Sequence, residues 1–198
     1  MPKQVDHEGR RRVIADAVCH LADERGLEGV TLRDVAARAE VSMGAVQRCF
    51  RTKEEMLVFA LGHIGARIGE RVRARLVSSP AQSAASALGH AATEIALLRE
   101  ENRAEARVWL AFVAQAAVSK ALAETLKVNY AALQDTFARL ISEAGAGAGR
   151  AASLDAHHEA RTLLALADGL TAQVLIGHLT PQEAQDVLHA HLSNLWRP

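Results

Sequence analysis

Two helix-start signals stand eleven residues apart in this chain of 198 residues, at Thr31 and at Ser42. Thr31 opens T-x-x-D with Asp34, a pattern in which hydroxyl and carboxylate satisfy backbone N–H groups that a first helical turn leaves unpaired. Ser42, after the turn Glu40-Val41, is an N-cap of the same kind. The interval holds one helix of about eight residues and a tight turn, and a second short helix follows through Cys49. Leu32, Val35, Ala36 and Ala39 mark the inward side of the first. At about 100° per residue, Ala45, Val46 and Cys49 share one side of the second, and Met43, Gly44, Gln47 and Arg48 fall on the other.

Longer helices are expected on both sides of this pair. Ile14, Ala17, Val18 and Leu21 form a face that runs into Arg25-Gly26, where glycine supplies the stop. Thr52, with Glu55 three residues on, opens a long fourth helix striped by Leu57, Leu61, Ile64, Ile68, Val72 and Leu76. Two short helices in a tight turn between longer ones make the helix-turn-helix arrangement, which offers its second helix to the major groove.

The rest of the chain also reads as helix. Aromatic residues are only 4%, and alanine, leucine, arginine and glutamate, which lose little rotamer freedom in a helix, recur throughout. Pro80 is expected at the start of a fifth helix, with breaks near Asn102 and Val118-Ser119. Ala144 to Gly149 reads as a connector, Ser153 as the next cap, and Thr180-Pro181-Gln182-Glu183 as the start of a last helix ending near Trp196. The expectation is an all-α protein of about nine helices, with a three-helix helix-turn-helix domain over 1–52 and a helical domain over 53–198.

Charge and cysteine content narrow the class. Net charge is zero, yet residues to Arg75 carry +3 and the remainder −3, a weakly basic end on a neutral-to-acidic body. Two cysteines, Cys19 and Cys49, cannot make a disulfide framework. No apolar run is long enough for a signal peptide or a membrane span, so a soluble, cytoplasmic protein without membrane contact is expected.

The run from Arg11 to Leu57, with Gly26, Thr31, Val35-Ala36, Ala39, Val41-Ser42, Gly44, Phe50 and Lys53-Glu54 in register, closely resembles the DNA-binding domain of the TetR family of transcriptional regulators. The resemblance implies an all-helical homodimer that binds a double-stranded DNA operator and uses its C-terminal domain for ligand binding and dimerisation. Trp109-Leu-Ala-Phe112, Asn129-Tyr130 and Leu166-Ala-Asp168-Gly169-Leu170 look like the C-terminal domain of choline-responsive repressors of that family, though the ligand does not transfer with the likeness. The chain departs from the family where Glu40 stands at the usual turn glycine and where Gln47 and Cys49 replace residues that are commonly aromatic.

Each candidate site follows from side-chain chemistry. Gln47 pairs with adenine and Arg48 with guanine, and Met43 meets a thymine methyl group, beside Ser42 and Gly44. A cation in a first helical turn opposes the helix dipole, so Lys53 points to a phosphate, with Thr31, Arg33 and Thr52 as further phosphate contacts. Arg10, Arg11 and Arg12 are expected to form a basic arm. Trp109, Phe112, Gln115, Asn129, Tyr130 and Phe137 are the expected lining of a pocket for a largely apolar small-molecule effector. Leu170, Val174, Leu188, Leu192, Leu195 and Trp196 are expected at a four-helix dimer interface. Nine histidines and the patterns Asp155/His158 and Asp186/His189 raise the alternatives of a helical-bundle metal enzyme or a module without DNA. Aspartate is too short for the di-iron pattern, and no GxSxG, phosphate loop or triad appears, so no enzyme activity, metal or cofactor is expected.

Overall fold

The structure, a computed structural model, describes residues 5–78, 83–147 and 155–196. Among these are nine α-helices and one turn of 3-10 helix, and no strand: α1 (Val5–Arg25), α2 (Leu32–Arg38), α3 (Met43–Cys49), α4 (Lys53–Ser78), α5 (Ala84–Ile95), α6 (Arg103–Ala116), α7 (Lys120–Gly147), α8 (Ala156–Leu175) and α9 (Pro181–Asn194). The all-α reading holds. Residues up to Ala66 and the segment Arg107–Lys127 form one compact unit; Arg67–Ala106 and the residues from Val128 onward form a second.

In the first unit, α1 stops where Gly26 takes φ +73° and its N–H returns to the Ala22 carbonyl at 2.9 Å. Thr31 Oγ1 accepts the Asp34 N–H at 3.2 Å, and Ser42 Oγ accepts the Ala45 N–H at 3.2 Å, so both expected caps are made. Between them α2 closes with a Schellman motif: Val41 N–H donates to Ala36 O at 3.0 Å and Glu40 N–H to Ala37 O at 3.3 Å. Glu40 sits at the left-handed position of that motif with φ +55°, a conformation that costs a residue with a Cβ about 1–2 kcal/mol. The same motif closes α8, there with Gly177 at φ +75°. Arg107 Nε donates to Asp23 at 2.5 Å and the Ser119 hydroxyl to Glu54 at 3.3 Å, which fixes the segment Arg107–Lys127 to α1 and α4 within this unit.

Three boundaries differ from the sequence reading. α5 starts at Ala84, with Ser83 Oγ accepting the Ser86 N–H at 3.2 Å, and Pro80 lies outside the described residues. α7 continues through Gly147, so the first part of the expected connector is helical and the rest of it lies outside the described residues. Asp155, not Ser153, caps α8 by accepting the His158 N–H at 3.0 Å, and Ser153 lies outside the described residues. The capping box of α9 is complete: Thr180 Oγ1 accepts the Glu183 N–H at 3.2 Å and Glu183 accepts the Thr180 N–H at 2.8 Å.

The core of the second unit joins Val72 of α4 and Leu88 and Ala92 of α5 to Phe137 and Ile141 of α7, and it extends into α8 and α9. It consumes most of the side chains assigned to a dimer interface. Leu170, Val174, Leu188, Leu192 and Leu195 are all buried in it, and Trp196 packs against it. Periodicity identified a helix apolar nearly all round but not which side the protomer's own core takes.

Candidate nucleic-acid interface

α3 is held from behind by its own apolar side. Ala45, Val46 and Cys49 are buried in the first unit, and Phe50, at the C-cap, is 1% exposed. Ser42, Met43, Gln47 and Arg48 are exposed and Gly44 is half-buried. The division is the one that helical spacing predicts. The Arg48 guanidinium lies back along the helix: a Cβ placed on Gly44 would stand 3.4 Å from its Nη1.

The flanking hydroxyls differ in what they can still donate. Thr52 Oγ1 accepts the Glu55 N–H at 3.0 Å and Ser42 Oγ accepts that of Ala45, which leaves each O–H free to meet an acceptor. Thr31 gives its hydrogen to Asp34 Oδ2 at 2.9 Å. Arg33 is exposed. Lys53 is half-buried, with Nζ 3.4 Å from the Glu28 carbonyl oxygen. Arg11, expected in a basic arm, is instead stacked: its guanidinium carbon lies 4.7 Å from the Phe50 ring centroid and 4.4 Å from that of Phe59. Arg12 is exposed, 3.7 Å from Glu8.

The six residues expected at an effector pocket divide between the two units. In the first, Trp109 and Phe112 are buried and Gln115 is half-buried. In the second, Phe137 is a core residue, and Asn129 and Tyr130 are half-buried. The Tyr130 hydroxyl donates to the Asp168 carboxylate, and Asn129 Nδ2 is buried with no hydrogen-bond partner among the described residues. Asp168, in the segment Leu166-Ala-Asp168-Gly169-Leu170 but outside the expected pocket lining, is thus the partner of Tyr130. The second unit also brings together arginines and glutamates that the sequence does not show as neighbours, Arg67, Arg71, Arg75, Glu94, Arg99 and Glu105. The cluster's signals in the sequence are three arginines four residues apart and a single carboxylate in an alanine-rich α5. The two Asp-x-x-His patterns have local roles: Asp155 is the α8 cap, and Asp186 accepts from Gln182 at 2.9 Å. Among the described residues no helix is long and apolar enough to cross a membrane.

Comparison with known proteins agrees with this geometry. Residues 14–58 match the family described as bacterial regulatory proteins, tetR family, and residues 84–197 match the BetI-type transcriptional repressor C-terminal family. The chain is 31% identical to the HTH-type transcriptional regulator PksA of Bacillus subtilis (strain 168), over 89% of this chain and 83% of the relative. It is 29% identical to the HTH-type transcriptional regulator BetI of Serratia proteamaculans (strain 568), over 86% and 83%. A transcriptional regulator of Rhodococcus sp. Rha1 superposes with a TM-score of 0.79 at 31% identity, covering 93% of this chain and 95% of that one. A regulator of Saccharomonospora viridis in complex with choline has the same fold, with a TM-score of 0.80 at 24% identity over 94% and 96% of the two chains. An exposed polar edge on a second short helix, the registered motif around it and these matches place the chain in the TetR family of DNA-binding transcriptional regulators, with a BetI-type repressor C-terminal domain.

Proposed function

We propose that the protein is a ligand-responsive repressor that binds a pseudo-palindromic operator as a homodimer in the cytoplasm, without catalytic activity. The observation that carries this reading is the edge of α3, where Met43, Gln47 and Arg48 are exposed on a helix anchored by Ala45, Val46 and Cys49. Gln47 and Arg48 read base edges, Met43 packs on a thymine methyl group, and Ser42 and Gly44 let the backbone approach. Thr52, Lys53 and Arg33 hold phosphates; Thr31 contributes chiefly by capping α2. Residues 1–52, with Lys53 at the start of α4, carry this surface, and 53–198 carry ligand binding and dimerisation.

The dimer is assigned to the outward face of α8 and α9. Thr162, Ala165, Gly169, Ala172 and Ile176 recur at helical spacing on the side of α8 away from its buried leucines, and Ile176 is 78% exposed. Val187, 44% exposed, and Ala190 continue that apolar character on α9. A two-fold axis would bring each face against its own copy. In the second unit, effector contact falls to Asn129 and Tyr130, whose polar groups orient a largely apolar molecule, while Trp109, Phe112 and Phe137 act mainly by packing. An effector that prefers the DNA-incompetent state must itself be bound more weakly in the presence of operator.

Footprinting on the DNA that flanks the protein's own gene tests the reading. Protection of two symmetric half-sites about one helical turn apart, or a multiple of it, is expected. Equal affinity for random DNA, or an asymmetric footprint, overturns it.

A further inference from the structure

We infer that Arg51, in the turn between the recognition helix and α4, is a phosphate-contacting residue of the DNA-binding surface. Its role rests on the operator-binding reading, to which it adds a residue outside the registered motif.

Over the described residues up to Ala66, arginines and lysines fall into two groups. Most are spent on partners within the protomer. Arg12 lies 3.7 Å from Glu8, Arg25 3.4 Å from Asp34 and Arg38 2.7 Å from Glu24. Arg10 has a partner as well, Arg11 is set against Phe50 and Phe59, and Lys53 Nζ stands 3.4 Å from the Glu28 carbonyl oxygen. Arg33, Arg48 and Arg51 are different. All three are exposed, and among the described residues none of their guanidiniums has a carboxylate or carbonyl partner. Arg33 belongs to α2 and Arg48 to the exposed edge of α3. Over this span unpaired positive charge is therefore confined to the helix-turn-helix and to the turn that follows it. A guanidinium already matched by a carboxylate adds little to the attraction of a polyanion, whereas an unmatched one adds a full charge.

The fold fixes where Arg51 stands. On one side Phe50, the C-cap of α3, donates its N–H to Val46 O at 2.9 Å. On the other, Thr52 accepts the Glu55 N–H at 3.0 Å, and Glu55 Oε2 accepts the N–H of Arg51 itself at 2.8 Å. The main chain of Arg51 is thus pinned before any DNA is bound, and contact orders the side chain alone, which limits the entropic cost. With its N–H already used, what Arg51 offers to DNA is the guanidinium, a planar fork of donors that matches two phosphate oxygens.

The surrounding charges favour Arg51 at this end of α4. Glu54 and Glu55 place two carboxylates in the first turn, which suits the helix dipole and repels a phosphate. Both are turned to donors of the protein, Glu54 to the Ser119 hydroxyl at 3.3 Å and Glu55 to the Arg51 N–H. Lys53 is half-buried and must leave the Glu28 carbonyl before it can meet a phosphate. Arg51 needs no such exchange.

The test titrates the full-length protein with a labelled duplex from the DNA flanking its own gene, and with a random-sequence duplex of the same length, at several sodium chloride concentrations. Arg51→Gln should weaken both complexes about three- to tenfold at low salt and reduce the slope of log affinity against log salt by about 1 per protomer. Arg51→Lys keeps the charge and should keep the slope while losing part of the affinity. Arg139→Gln removes an equal charge from the second unit, where Arg139 pairs with Glu143 at 3.0 Å, and should leave the slope at the wild-type value. Because Arg51 is exposed and its guanidinium is unpaired among the described residues, its variants are expected to fold as the wild type does, which circular dichroism checks. A wild-type slope for Arg51→Gln overturns the inference; if Gln47→Ala still relaxes base preference, operator reading stands without it. Relaxed preference at one base with the slope unchanged would make Arg51 a base contact and overturn the phosphate assignment. A wild-type protein that binds neither duplex removes the operator-binding reading together with it.

Discussion

The guanidinium of Arg11 lies over the ring of Phe50, 4.7 Å from its centroid, and so links the first helix of the chain to the residue that caps the recognition helix. Phe59 of α4 packs against Phe50, its centroid 5.4 Å away and its ring tilted by 54°, and lies 4.4 Å from the same guanidinium carbon. A cation set against aromatic rings contributes about 0.5–2 kcal/mol, and the alkyl stem adds packing. Arg11→Ala should lower unfolding stability in urea by about 1–3 kcal/mol and weaken operator binding, because α3 loses a support on its C-terminal side. Arg11→Lys keeps the charge without the planar stack and should fall between the two. Equal stability of wild type and Arg11→Ala would show the stack to be inert.

Base reading and phosphate holding separate by salt dependence. Gln47→Ala should lose preference at one base position, at about 1–3 kcal/mol for a bidentate pair, with the salt slope unchanged. Lys53→Ala should weaken binding to all sequences alike and reduce the slope by about 1. The ammonium now near the Glu28 carbonyl must turn to the phosphate, so the measured effect is that of an exchange of partners. Titrations of operator and scrambled DNA at several salt concentrations distinguish the two variants.

Glu40 is the strained residue of the turn, at φ +55°. Glu40→Gly should raise unfolding stability by about 0.5–1 kcal/mol, since relief of the left-handed penalty exceeds the extra freedom glycine gives the unfolded chain. Removal of a carboxylate beside α3 should also tighten binding to DNA of any sequence at low salt. Gly26→Ala, at φ +73°, should have the opposite sign on stability. Urea midpoints for the pair decide it.

What could be read from the sequence was whatever local chemistry fixes. Thr31, Ser42, Thr52 and Thr180 cap helices as their patterns require, because a cap and its partner lie within four residues. Where two caps compete nearby, as Ser153 and Asp155 do, local pattern cannot rank them. Alternating alanine and glycine at the end of α7 reads as a break, yet Gly145 is buried and the helix continues through it. The Arg–Glu cluster was illegible for a further reason. Its carboxylates come from α5 and α6 and its cations chiefly from α4, and no periodicity states which helices will adjoin.

The caps of α8 and α9 also respond to acid. The His158 N–H bond holds the Asp155 carboxyl below its ordinary value of 3.8, and the Thr180 N–H does the same for Glu183 below 4.5. A lowered folded-state value means stability that is complete above the ordinary carboxyl range and is lost as pH falls through the depressed value. Asp155→Asn and Glu183→Gln should each flatten the acid limb of the stability–pH profile below about pH 4 and leave its neutral part with the same shape. Unfolding midpoints across that range, with an unchanged acid limb as the contrary outcome, check it.

Gly169 lies on the face of α8 to which we assign the dimer contact, and its neighbour Leu170 lies in the protomer's core. A Cβ added there meets no atom within 4 Å in the protomer, and Leu170, its neighbour, is 3% exposed. Gly169→Glu should therefore leave the protomer folded, and its helix gains because glycine is about 1 kcal/mol poorer than alanine in a helix interior. The same side chain on a close two-fold contact places like charges against each other and bulk where a small residue allowed approach. Leu170→Arg instead buries a charge in the protomer's own core and should unfold it. Sedimentation with circular dichroism gives the readout: Gly169→Glu monomeric with full helicity, Leu170→Arg depleted of helix. A Gly169→Glu protein that remains dimeric would move the interface off this face of α8, whatever its DNA-binding surface does.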